Sequence, residues 1–226
     1  MTKVYIGIVS VLLLCIAGVY GSTKSTNIEL TKTNFTAIKG EVNDGSVAQV
    51  LKEIAASDPT KVFYLYLDTP GGSVFAGRDL IAYLQTTPRN IHCVAHTAIS
   101  MGFHILQDGC KVRLVTPSSI LMSHQIATGV QGNLEKIKKE VEVMQKLETF
   151  FDAQAAARLQ ISLKEYTEKI QSEYWLIGSE DVLKDKAGDE QVTVTCSLEI
   201  EPLKKRITTQ TLFGMGEAEV QYCPLL

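Results

Sequence analysis

Residues 62–84 read VFYLYLDTPGGSVFAGRDLIAYL, and this stretch decides the fold class. Val62 to Leu67 is an unbroken apolar run, the pattern of a strand buried on both faces. Asp68-Thr69-Pro70-Gly71-Gly72 then punctuates the chain as a turn. From Ala76 to Thr86, Leu80, Ile81 and Leu84 fall at helical spacing, and Pro88 closes the segment.

The same alternation continues outward. Upstream, residues 36–42 read as a strand, and residues 46–56 as a helix with Val47, Val50, Leu51 and Ile54 on one face. Downstream come a strand over 90–95, a helix over 100–107, and strands over 111–115 and 120–123. A long helix starts at Leu134, with Leu134, Ile137, Val141, Met144, Leu147 and Phe151 on a stripe expected to pack on the core. Alternating strands and helices with buried runs predict an α/β fold around a mostly parallel sheet. Residues 191–199 alternate as a half-buried strand, whereas 202–226 carry a weak, loop-like pattern. The chain divides accordingly into 1–22, a linker over 23–35, a domain over 36–190 and an extension over 191–226.

Lys3 followed by an apolar run from Val4 to Tyr20 and small residues at Gly21 and Ser22 has the form of a secretory signal. At about 17 residues the run is also near the lower limit for a retained anchor, so membrane association through residues 4–20 is the second reading. Both place the protein outside the cytosol: secreted, periplasmic or membrane-anchored. Beyond that segment lie Cys93, Cys110, Cys196 and Cys223. An even number in an exported chain permits disulfides, with Cys196–Cys223 expected to staple the tail and Cys93 read as core filler. No Cys/His cluster has metal-ligand spacing, so neither metal nor cofactor is expected. With 45% hydrophobic and 21% charged residues the composition is that of a globular domain, and the net charge of −3 argues against nucleic acid as a partner.

Three segments carry chemistry. Ser100 follows an apolar strand and opens a helical segment between the small residues Ala98 and Gly102, where backbone N–H groups can stabilise an oxyanion. Alone, such a serine is most simply a helix cap. Gly71 and Gly72 leave the backbone bare for close approach to a ligand, although a plain strand-to-helix turn has the same look. His124 ends a short apolar run in Met122-Ser123-His124-Gln125, but His92, His96 and His104 show how little one histidine means.

Together and in this order the segments resemble the Clp protease proteolytic subunit, within the wider fold group that includes the crotonases. Thr69-Pro70-Gly71-Gly72-Ser73-Val74 with Ala76-Gly77 is similar to that family's SPGGSV-x-AG turn, and Ala98-Ile99-Ser100-Met101-Gly102 to its AASMG nucleophile segment. Pro117-Ser118-Ser119 with Met122-Ser123-His124-Gln125 is similar to PNSR-x-MIHQ, and Gly40-Glu41-Val42 to the GEI at the start of the core. The resemblance spans residues 36 to 189. It implies repeated β-β-α units and a long protruding handle helix over 134–157 where two rings meet. It also implies serine endopeptidase activity on short or unfolded polypeptides inside a homo-oligomeric chamber. Ser100 would be the nucleophile and His124 the general base, the N–H groups of Gly71 and Met101 would form the oxyanion hole, and Gly72, Ser73 and Val74 would pair with the extended substrate.

Two departures qualify the match. Glu173 stands where the family has the aspartate of its triad, with Asp181 as a reserve, and the Pro that usually follows His-Gln is missing after Gln125. An exported chain would also lie apart from a cytosolic ATPase partner, and no GxxxxGK[ST] sequence is present. A catalytically inactive scaffold subunit is the main rival reading. A crotonase-type acyl-CoA enzyme would have no use for Ser100 and His124, and a Ser-Lys signal-peptide peptidase would need a lysine that the motifs lack.

Overall fold

A computed structural model describes residues 25–197, 200, 203–211 and 214–222. The segment read as a signal or anchor therefore lies outside the described residues. Six strands form one parallel ladder in the order β1 (Thr26–Leu30), β7 (Glu190–Cys196), β5 (Val112–Ser123), β4 (Ile91–Ile99), β3 (Phe63–Thr69) and β2 (Phe35–Lys39). A seventh, β6 (Tyr174–Ile177), pairs antiparallel with the end of β5. The expected mostly parallel α/β sheet is thus present.

The quoted strand behaves as its composition requires. Along β3, Leu65 and Leu67 enter a core shared with the helices, while Tyr66 points to a second core with Ile28, Leu30, Val94, Leu114 and Val192. A strand apolar on both faces needs a cover on both faces. Here the covers are α1 (Asp44–Ala56), α2 (Val74–Thr86) and their neighbours on one side, and the second cluster on the other. In α1 the start is set by Asn43, which accepts from the Ser46 N–H while the Ser46 hydroxyl accepts from the Asn43 N–H. This reciprocal cap typically stabilises a helix start by about 1 kcal/mol.

Several boundaries move. Residues 26–30, read as linker, pair in the main sheet with 192–196, read as part of an extension starting at 191. Their alternating pattern was too short in β1 to stand out. The two strands expected over 111–115 and 120–123 are one strand, β5, interrupted where Thr116–Ser119 loop out between Val115, opposite Ala95, and Ile120, opposite Thr97. Ser119 Oγ closes that excursion by donating to the carbonyls of Ala95 and Thr116. Residues 203–211 and 214–222, read as loop-like, form a separate antiparallel hairpin, β8 (Leu203–Thr211) and β9 (Gly214–Tyr222). Glycines near the turn weaken the strand signal there.

The long helix α4 runs from Leu134 to Leu159, 26 residues, or about 39 Å at 1.5 Å per residue. Its expected stripe does not lie on the core throughout. Only the last third is buried, at Phe151, Asp152, Ala155, Ala156 and Leu159, whereas Leu134 is 65% exposed, and Val141 and Phe150 are also exposed. Periodicity reports which face is apolar and is blind to where the supporting sheet ends. After α4 come α5 (Leu163–Ile170) and α6 (Gly178–Lys184). Cys93 is not an unpaired filler but is bonded to Cys110, with Cα atoms 5.9 Å apart. Cys196 is also disulfide-bonded, and its expected partner Cys223 lies outside the described residues.

Candidate active site

Ser100 stands at the junction of β4 and α3 (Met101–His104), which continues as a π-helical segment over Ile105–Gly109. Its backbone has φ 55° and ψ −119°, a conformation that costs a non-glycine residue about 1–3 kcal/mol and persists only under firm support. Support comes from three sides. The Ser100 N–H donates to the Met122 carbonyl, and the Ser100 carbonyl accepts from Phe103 and His104. The Cys93–Cys110 disulfide ties together both ends of the segment that carries the serine. Gly71 packs on the third side: a Cβ there would lie 2.6 Å from Ser100 Cβ, 2.7 Å from the Ile99 carbonyl oxygen and 2.9 Å from the Met101 nitrogen. With φ +96° besides, glycine is required at 71.

His124 follows the last residue of β5, so β4 and β5 bring the two motifs side by side. Its Nε2 lies 2.8 Å from Ser100 Oγ, a nucleophile–base distance within hydrogen-bond reach. The missing proline after Gln125 is compensated by another tether: the Ile126 N–H donates to Glu148 Oε1 on α4 at 2.7 Å. Behind His124, the Ser123 hydroxyl bonds to the buried Tyr166 hydroxyl at 2.7 Å.

The other expected site residues fare differently. Met101 is the first residue of α3, and its N–H belongs to the set that a helix start leaves without an intrahelical acceptor. The Gly71 N–H, in contrast, donates to Thr69 Oγ1 at 3.0 Å. It is Gly72, not Gly71, that lines the cavity beside Ser100, so Gly71 serves as the close-packed spacer and Gly72 faces the site. Ser73 caps α2 and donates its own N–H to the Val42 carbonyl. It is therefore already paired, and only Gly72 and Val74 of the expected substrate strip reach the cavity.

Glu173 lies one residue before Tyr174, whose Cα pairs with Ser123 across the β5–β6 edge. Register thus brings Glu173 to the strand end that His124 occupies. Its side chain turns elsewhere: Oε2 accepts from the Trp175 indole N–H at 3.0 Å, and among the described residues no hydrogen bond joins it to His124. Asp181 is an exposed residue in the first turn of α6, and among the described residues it too has no hydrogen bond to His124.

The cavity itself encloses about 170 Å³. Its walls include Ser100, Met101, His124, Ile126, Phe151 and Asp152. His104 and Asp152 were missed by motif reading. His104 bonds to the buried Asp108 at 3.0 Å. Asp152 is a carboxylate on the buried face of α4, between Phe151, Ala155 and Ala156, and that break in an apolar stripe is the signal that marks it.

Residues 22–183, most of the chain and the elements from β1 into α6, match the family model of Clp protease. The chain belongs to the Clp protease family. The match begins before the resemblance read from motifs alone and takes in β1, in line with that strand's place in the sheet. Membership makes the chain a Clp-type peptidase in fold and general activity. The Ser100–His124 pair sits at the ends of two adjacent parallel strands of this Clp fold, where ligands commonly bind in open α/β sheets.

Proposed function

We propose that the chain is a serine endopeptidase acting on short or unfolded polypeptides. The observation that carries this is the 2.8 Å contact between His124 Nε2 and Ser100 Oγ, on a serine held at positive φ, in a Clp-family chain. His124 takes the hydroxyl proton as Ser100 Oγ adds to the scissile carbonyl carbon. The oxyanion of the tetrahedral intermediate accepts from the N–H groups of Met101 and Gly72, the latter replacing Gly71 in that role. Collapse breaks the C–N bond, and His124 passes its proton to the leaving amine. Water then repeats the sequence on the acyl-serine ester. Glu173 holds the third member's position, but its carboxylate is bonded to Trp175, and the proposed reaction is carried by Ser100 and His124.

The exposed front of α4, with Leu134, Val141 and Phe150, suits a contact between copies, and we assign it to assembly of a homo-oligomeric chamber. Export is supported by the buried Cys93–Cys110 bond, since such bonds persist in oxidising compartments. The inactive-scaffold reading draws on Glu173 being bonded to Trp175. Hydrolysis of an unfolded polypeptide separates the two: the wild type yields a ladder of internal fragments, and Ser100→Ala and His124→Ala yield none. Equal fragment patterns from all three proteins would sink the proposal.

A further inference from the structure

Asp152 is only 6% exposed, and among the described residues no hydrogen bond or salt bridge joins its carboxylate to a partner. It lines the cavity that contains Ser100 and His124. Glu148, one turn earlier on α4, lines the same cavity, and no residue of the cavity wall is Lys or Arg. His104 also faces it, but that imidazole is committed to Asp108. An ionised carboxylate that is mostly buried and has no cation at hydrogen-bond distance is costly. Burial accordingly pushes the Asp152 carboxyl up to about 6, against the pull of His104. A cation entering the cavity would remove that cost and bring its own hydrocarbon stem against Phe151, Met101 and Val74. The volume, about 170 Å³, suits one side chain and falls below the roughly 300 Å³ at which small-molecule pockets begin.

We propose that this cavity is the specificity pocket for the residue that donates the scissile carbonyl, and that Asp152 selects lysine or arginine there. The inference rests on the peptidase reading for its position beside Ser100. Asp152 is a specificity-determining residue and takes no part in proton transfer.

The test uses one peptide scaffold with Lys, Arg, norleucine or Glu at that position. On the wild type at pH 8, kcat/KM for Lys and Arg should exceed that for norleucine at least about tenfold, and Glu should be worst. Asp152→Leu should invert the Lys-to-norleucine ratio. A second measurement is independent of turnover: full-length Ser100→Ala protein should bind a product-type peptide ending in Lys at least about tenfold tighter than one ending in norleucine, by fluorescence anisotropy. Norleucine equal to or better than Lys in either assay would overturn the inference. Preferential binding of the Lys-ended peptide with no hydrolysis of any substrate would uphold the pocket and reject the peptidase reading instead.

Discussion

Two non-glycine residues near the site are held at positive φ, Ser100 at 55° and Glu173 at 65°, and their surroundings differ sharply. Ser100 is fixed by backbone bonds to β5 and α3, by Gly71 at its side and by a disulfide that ties both ends of its segment. Glu173 sits at an exposed strand start, and its carboxylate is occupied by Trp175, itself 45% exposed. The fold over-determines the proposed nucleophile and leaves the proposed third carboxylate to a surface side chain. Strain at a reacting residue is informative when the surrounding structure is built to hold it.

The largest effects should come from the over-determined side. Ser100→Ala and His124→Ala should each lower kcat/KM by about 10³-fold or more with little change in Tm, since neither side chain supports the core. Gly71→Ala comes next. A Cβ driven into Ser100 and the Met101 nitrogen should lower turnover by roughly 10²-fold and lower Tm as well. Activity near wild type would show that the close packing at Gly71 is dispensable.

Removing the staple, as Cys93→Ala with Cys110→Ala, should cost about 2–4 kcal/mol of stability, given the 17-residue separation of the cysteines. Denaturant unfolding measures this, and an unchanged midpoint would leave Ser100 supported by the backbone alone. A smaller and pH-dependent effect belongs to Asp152. Its folded carboxyl is raised to about 6 from an ordinary 3.8, so between these values the folded state holds the proton that the unfolded state has lost. Stability therefore falls as pH rises through that window. Asp152→Asn should be more stable than wild type above pH 6, on the order of 2 kcal/mol, with the gain gone near pH 4.

The smallest effect should be at Glu173. Glu173→Gln retains an acceptor for Trp175 and removes the charge, and a fall in kcat/KM of less than about tenfold is expected while the carboxylate stays on Trp175. A fall of about 10³-fold would mean that Glu173 returns to His124 during turnover, and would make the two sides of the site alike.

Much of this was legible in the chain because period and punctuation are local. Residues 62–84 declare a doubly buried strand, a glycine turn and a helix, and all three form. Ser100 and His124 could be named because their motifs together resemble those of the Clp family, and parallel pairing of β4 with β5 then brings them side by side. What stayed hidden depends on distant partners. That Gly71 spends its N–H on Thr69 is a matter of one rotamer. That α4 leaves the core before Phe150 depends on the extent of the sheet beneath it. Disulfide partnership likewise needs the spacing between β4 and the turn before β5, which cysteine counting does not contain.

The most direct test of the central claim is labelling by a fluorophosphonate probe, followed by peptide mass mapping, on wild type and Ser100→Ala. A single adduct on Ser100, absent from the variant and from His124→Ala, is the predicted result. A folded wild-type protein that takes no label, or takes it at another serine, would contradict the assignment of Ser100 and His124 as the reacting pair.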